Sequence, residues 1–218
     1  KSVFRSILDH ISGMDYIKPE DLPNIDLYMD QVTTFMDNKL RSTARYPGED
    51  KILTKTMINN YAKNDLLPPP VKKKYSKEHV LLLIFIYYYK SILSINDIQT
   101  LLKPITEHFF QNDKEFNLES VYREAFGLEH KQMDALKADV IEKYKTAEQT
   151  FQDAPEESRE FLKKFAFICT LSFDVYVKKL MIEKMVDEIA KTQVKPVGEK
   201  AEPKSREKAH KTEKERES

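Results

Sequence analysis

LTKTMINNYAKNDLLPPPVKKKYSKEHV, residues Leu53 to Val80, joins a short amphipathic segment to a lysine cluster through three successive prolines. Thr54 suits a helix N-cap, because its hydroxyl can accept from a free N–H of the first turn. A helix over 54–64 turns Met57, Ile58, Tyr61 and Ala62 toward a core. Lys55, Thr56, Asn59, Asn60 and Lys63 then fall largely on the opposite side. Pro68, Pro69 and Pro70 stop the helix, since proline lacks an N–H and disfavours helix at the residue before it. Ser76 caps a following helix that carries the apolar run VLLLIFIYYY, residues Val80 to Tyr89.

On either side of this segment almost everything reads as helix. Asn24 is positioned to cap a helix through IDLYMDQVTTFMDNKL, with Tyr28, Val32, Phe35, Met36 and Leu40 on one stripe. RSTARYPGED interrupts it, with Pro47 and Gly48 as breakers. Ser94 and Asp97 form a capping box for SINDIQTLL, which should stop near Pro104. Leu118, Val121, Tyr122 and Ala125 share a helical face, and so do Met133, Leu136, Val140, Tyr144, Ala147 and Phe151. Asp153 and Pro155 open a last helix. Its FAFICTLSFDVYV run, Phe165 to Val177, is apolar nearly all round and predicts the central element of a C-terminal bundle. Within it Cys169 is expected as a buried, inert thiol, and Asp174 either at an exposed edge or paired with a lysine such as Lys178.

Composition narrows the function classes. The 218 residues balance 36 Lys and Arg against 36 Asp and Glu, so any attraction to polyanions must be local. One cysteine excludes an intrachain disulfide and a multi-cysteine metal site, and points to a reducing, cytoplasmic setting. Four glycines speak against glycine-rich phosphate loops. Both apolar runs fall short of the ~20 residues that span a bilayer, and no signal peptide is expected. The histidines show no paired metal spacing, and Glu129-His130 reads as a surface pair. No carboxylate pair or Ser-His-Asp pattern indicates catalysis. The expectation is a non-enzymatic protein without a cofactor.

The lysine cluster supplies the chemistry. From Lys51 to His79 seven lysines face two acids, Asp65 and Glu78, which leaves a local charge of +5. Lysines that neutralise phosphates release counterions, so such a patch binds DNA with salt-dependent affinity. The proline turn fixes the direction of the chain at low entropic cost. The amides of Asn59 and Asn60 can bond adenine N6 and N7 bidentately, while Lys55 and Lys63 can meet phosphates.

These residues, with LPNIDLYMDQVTTFM before them and LSINDIQTLL after, resemble the bacterial domain of unknown function 1836 family over roughly residues 20 to 170. The N-terminal half of that family is similar to the MerR-type winged helix. The resemblance implies an all-α fold with at most a small β wing. It implies a lead-in (1–20), a winged-helix DNA-binding domain (21–106) and a C-terminal helical dimerisation or regulatory domain (107–191). From about Thr192 the composition turns charged, proline-containing and free of large apolar residues, which predicts a disordered tail (192–218). The recognition helix would span 54–63, with Lys55, Thr56, Asn59, Asn60 and Lys63 toward DNA. MerR-type proteins usually carry arginines and a tyrosine there, so this asparagine-rich face departs from their pattern. The wing would be 71–75, with Lys72, Lys73, Lys74 and Tyr75 as contacts. The expected partners are double-stranded DNA and a second copy, met through the C-terminal helices. The alternative is an adaptor whose lysines bind an acidic protein.

Overall fold

The structure is a computed structural model that describes residues 3–12, 16–112 and 114–193. Its elements are α1 (Val3–Ser12), β1 (Leu27–Tyr28), α2 (Met29–Leu40), α3 (Lys55–Lys63), β2 (Lys74–Tyr75), α4 (Lys77–Tyr89), α5 (Ile95–Phe109), α6 (Leu118–Glu148) and α7 (Glu156–Gln193). Single 3-10 turns lie at Pro19–Asp21 and Arg41–Thr43. The fold is therefore mostly helical, with one two-stranded antiparallel sheet that pairs Leu27 with Tyr75 and Tyr28 with Lys74.

The apolar run of α4 forms the centre. Every side chain from Val80 to Ile86 is buried, which is why this helix shows no polar face. One continuous core runs from Ile17 to Phe126 and includes Leu118, Tyr122 and Phe126 from the first turns of α6. Phe85, Tyr122 and Phe126 interlock there, with Tyr122 and Phe126 centroids 4.5 Å apart and Phe85 and Phe126 5.1 Å apart. The buried Tyr122 hydroxyl donates to the Ile17 carbonyl at 2.7 Å, so the aromatic ring is buried without orphaning its polar end. The expected boundary at 106/107 falls inside α5, and the core crosses it.

Three helix readings need correction. Asn24 caps nothing: the chain enters α2 from β1, Tyr28 is the N-cap, and its N–H donates to Gln31. Pairing with a strand far along the chain overrides the local helical pattern. The helix expected to end at Pro104 continues to Phe109. Proline deprives the Thr100 carbonyl of its intrahelical donor, and the Gln193 side chain, at the end of α7, supplies a hydrogen bond to that carbonyl at 2.9 Å. Finally, α7 is not a central element. Phe165, Ile168, Phe173, Val175 and Tyr176 are exposed, and Cys169 is exposed as well. Among the described residues one face packs, on α6 and α5 and, through Phe167 against Phe4, on α1. There Asp174 pairs with Lys143 of α6 at 2.6 Å rather than within its own helix. The expected tail from 192 lies almost wholly outside the described residues.

Candidate nucleic-acid interface

Thr54 caps α3 as expected, its hydroxyl accepting from the Met57 N–H at 3.1 Å. Ile58 and Tyr61 are buried, and Lys55, Thr56, Asn59, Asn60 and Lys63 are exposed. The C-terminus closes as a Schellman motif. The Leu66 N–H donates to the Tyr61 carbonyl at 2.9 Å and the Asp65 N–H to Ala62 at 3.3 Å. Asp65 takes the left-handed position with φ 54, which glycine would occupy more readily. The motif aims Leu66 and Leu67 into the core. Pro68 to Pro70 then lead straight into a hairpin, without N–H groups that would need partners.

That hairpin is tight. The Val71 N–H donates to the Lys74 carbonyl at 3.1 Å, and the Lys74 N–H donates back at 2.9 Å. Between them Lys72 and Lys73 have φ 50 and 64. Positive φ at both central residues is the type I′ geometry, which matches strand twist and ordinarily selects Asn-Gly. Lysine there costs on the order of 1–3 kcal/mol per residue. Both lysines are exposed, and neither forms an ion pair among the described residues.

The remaining expected contacts differ. Lys74 turns back over the Tyr28 ring, 5.3 Å from its centroid, so it braces the hairpin against β1. Tyr75 is 3% exposed and cannot serve as a contact. The strand's alternation sends it inward, where it meets the His79 ring edge-to-face at 5.5 Å. Lys55 is paired with Asp30 of α2, so part of its charge is already met. Lys63 forms no ion pair among the described residues. The exposed set without an ion pair among the described residues is thus Thr56, Asn59, Asn60 and Lys63 on α3, with Lys72 and Lys73 on the hairpin. Both α3 and β2 pack on α2.

Three residues that hold this surface were not evident from the sequence. Arg41, beyond α2, donates to the Pro47 and Asp50 carbonyls at 2.6 Å each and pairs with Asp37. It thereby pins the loop that leads into α3. Lys90, at the end of α4, donates to the Ile52 carbonyl at 2.9 Å and lies 4.7 Å from the Tyr87 centroid. Burial holds its ammonium below the usual lysine range. His79 is buried beneath the hairpin, between Tyr75 and Phe110. Its Nδ1 accepts the Ser76 N–H at 3.0 Å, so the ring proton sits on Nε2, which has no partner of normal geometry. Burial pushes its pKa down, against the opposing pull of the Pro69 and Pro68 carbonyls. Lys90 and His79 meet distant elements at Ile52 and Phe110, and Arg41 reaches loop carbonyls six and nine residues on; apolar periodicity signals none of these contacts. No group of three or more His, Cys, Asp or Glu side chains able to hold a metal occurs among the described residues.

Fold and surface together define a small helical protein that presents a polar helix beside a lysine-tipped hairpin. The chain belongs to the family described as a domain of unknown function, DUF1836, which matches residues 17–125. The match coincides with the continuous core, Ile17 to Phe126, and leaves most of the α6–α7 hairpin outside. No curated protein and no solved structure matches the chain. No helix among the described residues is long and apolar enough to cross a membrane.

Proposed function

We propose that this protein is a DNA-binding transcriptional regulator of the winged-helix type, similar in arrangement to MerR-type domains. In this reading α3 enters the major groove, with Asn59 and Asn60 toward base edges and Lys63 toward a phosphate. The Val71–Lys74 hairpin is the wing and rests on the adjacent backbone. Two copies act together, so a palindromic site is expected. The observation that carries the reading is the turn itself: two lysines without ion pairs among the described residues sit at positive φ, where Asn-Gly would be less strained. A phosphate contact gives that strain a return. An acidic protein partner could meet the same lysines but would leave the two exposed amides of α3 without a role.

The test is binding to random duplex DNA across a salt series, followed by selection of bound fragments from a bacterial genome. Affinity for random DNA should fall steeply with salt, and selection should converge on a site. In that site Asn59→Ala or Asn60→Ala should remove about 1–3 kcal/mol of discrimination at one base pair, with little effect on random DNA. Lys63→Ala should weaken all sequences alike. Salt-independent or undetectable binding to duplex DNA would overturn the reading in favour of a protein partner.

A further inference from the structure

A cleft of about 470 Å³ lies between the end of α4 and the segment that leads into α3. Thr43, Arg45 and Lys51 line it from that segment, and Tyr87, Tyr88 and Lys90 from α4. None of the residues assigned above to DNA lines it. Its volume falls among those of small-molecule sites, about 300–1,000 Å³.

Charge in the cleft is one-sided. Arg45, Lys51 and Lys90 line it against one acid, Asp50, and none of the three cations forms an ion pair among the described residues. One Asp50 carboxylate oxygen accepts the Tyr46 N–H at 2.9 Å. Lys90 is the half-buried cation of the set. Burial lowers its pKa, and no neighbouring acid opposes that shift. One of its N–H groups meets the Ile52 carbonyl at 2.9 Å, which leaves two donors for the cleft. The Tyr87 ring, with its centroid 4.7 Å away, and the end of α4 supply partial negative charge only. A half-buried cation without a counterion is unfavourable, and an anion entering the cleft would relieve it. The Tyr87 hydroxyl has no proton to offer such an anion. Thr43 donates to the Leu40 carbonyl at 2.7 Å, so in the 2.6 Å contact between Thr43 and Tyr87 the tyrosine is the donor. Recognition of charge therefore falls to the cations.

We infer that this cleft binds a small aromatic carboxylate, with its carboxylate on Lys90 and Arg45 and its ring against Tyr87. The guanidinium fork matches a carboxylate in geometry. Tyr87 and Tyr88, themselves packed edge-to-face at 5.6 Å, offer aromatic surface to a flat ring. An inorganic anion would leave that part of the cleft to water. Lys51, exposed at the rim, adds to the attraction without closing the site. The inference stands apart from DNA binding, since no residue of α3 or the hairpin takes part.

The test is a titration of the isotopically labelled full chain with 2-naphthoate, followed by NMR of the lysine Cε resonances. The Lys90 resonance should shift saturably, with a dissociation constant on the order of 1 mM at ordinary ligand efficiency. A bound carboxylate favours the charged ammonium, so the Lys90 titration should move to higher pH. The neutral analogue 2-naphthylmethanol should bind about ten-fold more weakly and leave that titration in place. Arg45→Ala should weaken 2-naphthoate about ten-fold with unchanged circular dichroism, since Arg45 is exposed. Lys90→Met keeps the aliphatic stem and should abolish the preference for naphthoate over the alcohol. No Lys90 response up to about 10 mM 2-naphthoate overturns the inference. So does equal binding of the alcohol, which removes the charge recognition, or of inorganic phosphate, which removes the ring. It is overturned as well if Arg45→Ala and Lys51→Ala leave naphthoate binding unchanged and lower affinity for random duplex DNA, because the cleft would then belong to the nucleic-acid surface. A failure with naphthoate leaves the assignment of α3 and the hairpin untouched.

Discussion

Lys72 and Lys73 hold a conformation that their side chains disfavour, and a substitution can separate that local cost from the use of their charge. Lys72→Asn with Lys73→Gly supplies the residues a type I′ turn prefers. We expect the variant to be more stable by about 1–2 kcal/mol, a rise in Tm of about 2–4 °C per kcal/mol. The same variant should lose about 0.9 per lysine from the slope of log affinity against log salt. Thermal denaturation and a salt series on random duplex read the two effects independently. If the variant is no more stable, the turn is relaxed by contacts other than those described. If the slope is unchanged, the hairpin does not touch phosphate. Residues of this kind were half legible. The lysines announce themselves in VKKKY, but that two of them point outward, one braces Tyr28 and the tyrosine is buried follows from strand alternation and from a pairing with β1 that spans some forty-six residues.

Among the elements, α4 depends on a histidine at its start. His79 takes the place of the usual Glu or Gln in the capping box with Ser76. Its folded pKa lies below the unfolded value of about 6.5. The unfolded chain therefore takes up the proton first, and stability should fall as pH drops below about 6.5. His79→Gln keeps an acceptor for the Ser76 N–H and removes the titration. Its urea midpoint should fall less steeply than the parent's between about pH 7.5 and about pH 5.5. Equal slopes would mean that His79 is not the group responsible. Helix α5 provides a second test. Gln193→Ala should cost about 0.5–1.5 kcal/mol by leaving the Thr100 carbonyl with solvent alone. In a Pro104→Ala background an intrahelical N–H becomes available, so the same change should cost less. A double-mutant cycle with no coupling would show that the Gln193 contact does not compensate for the proline.

For the whole molecule, the question is whether the helices after α5 stand apart from the core. Tyr122 answers it, because its side chain joins α6 to the lead-in segment through the Ile17 carbonyl. Tyr122→Phe leaves a buried carbonyl unpaired and should cost about 1–3 kcal/mol. Unfolding by urea should remain a single transition, with fluorescence and circular dichroism coinciding. Two transitions would mean that the chain divides near the expected 106/107 boundary. The Lys77–Glu119 and Arg123–Glu20 ion pairs, at 2.8 and 2.5 Å, tie the same parts together. Lys77 beside Glu119 holds that carboxyl below the usual range, so its contribution is present at neutral pH and is lost as pH falls through the acid range.

The sequence alone determined what depends on neighbours a few residues away. Helix content follows from apolar spacing, the starts of α3, α4 and α5 from Thr54, Ser76 and Ser94, and the exposed amides of α3 from the position of Ile58 and Tyr61. Tertiary structure decided what depends on distant partners. Leu27 and Tyr28 became a strand because Lys74 and Tyr75 offered the other edge. Pro104 failed to end α5 within the packed helices, where Gln193 meets the carbonyl that the proline leaves free. The apolar run of α7 could signal either a buried centre or an open seam, since both need the same side chains. Periodicity records that a face is apolar; only the arrangement of the other helices determines whether anything covers it.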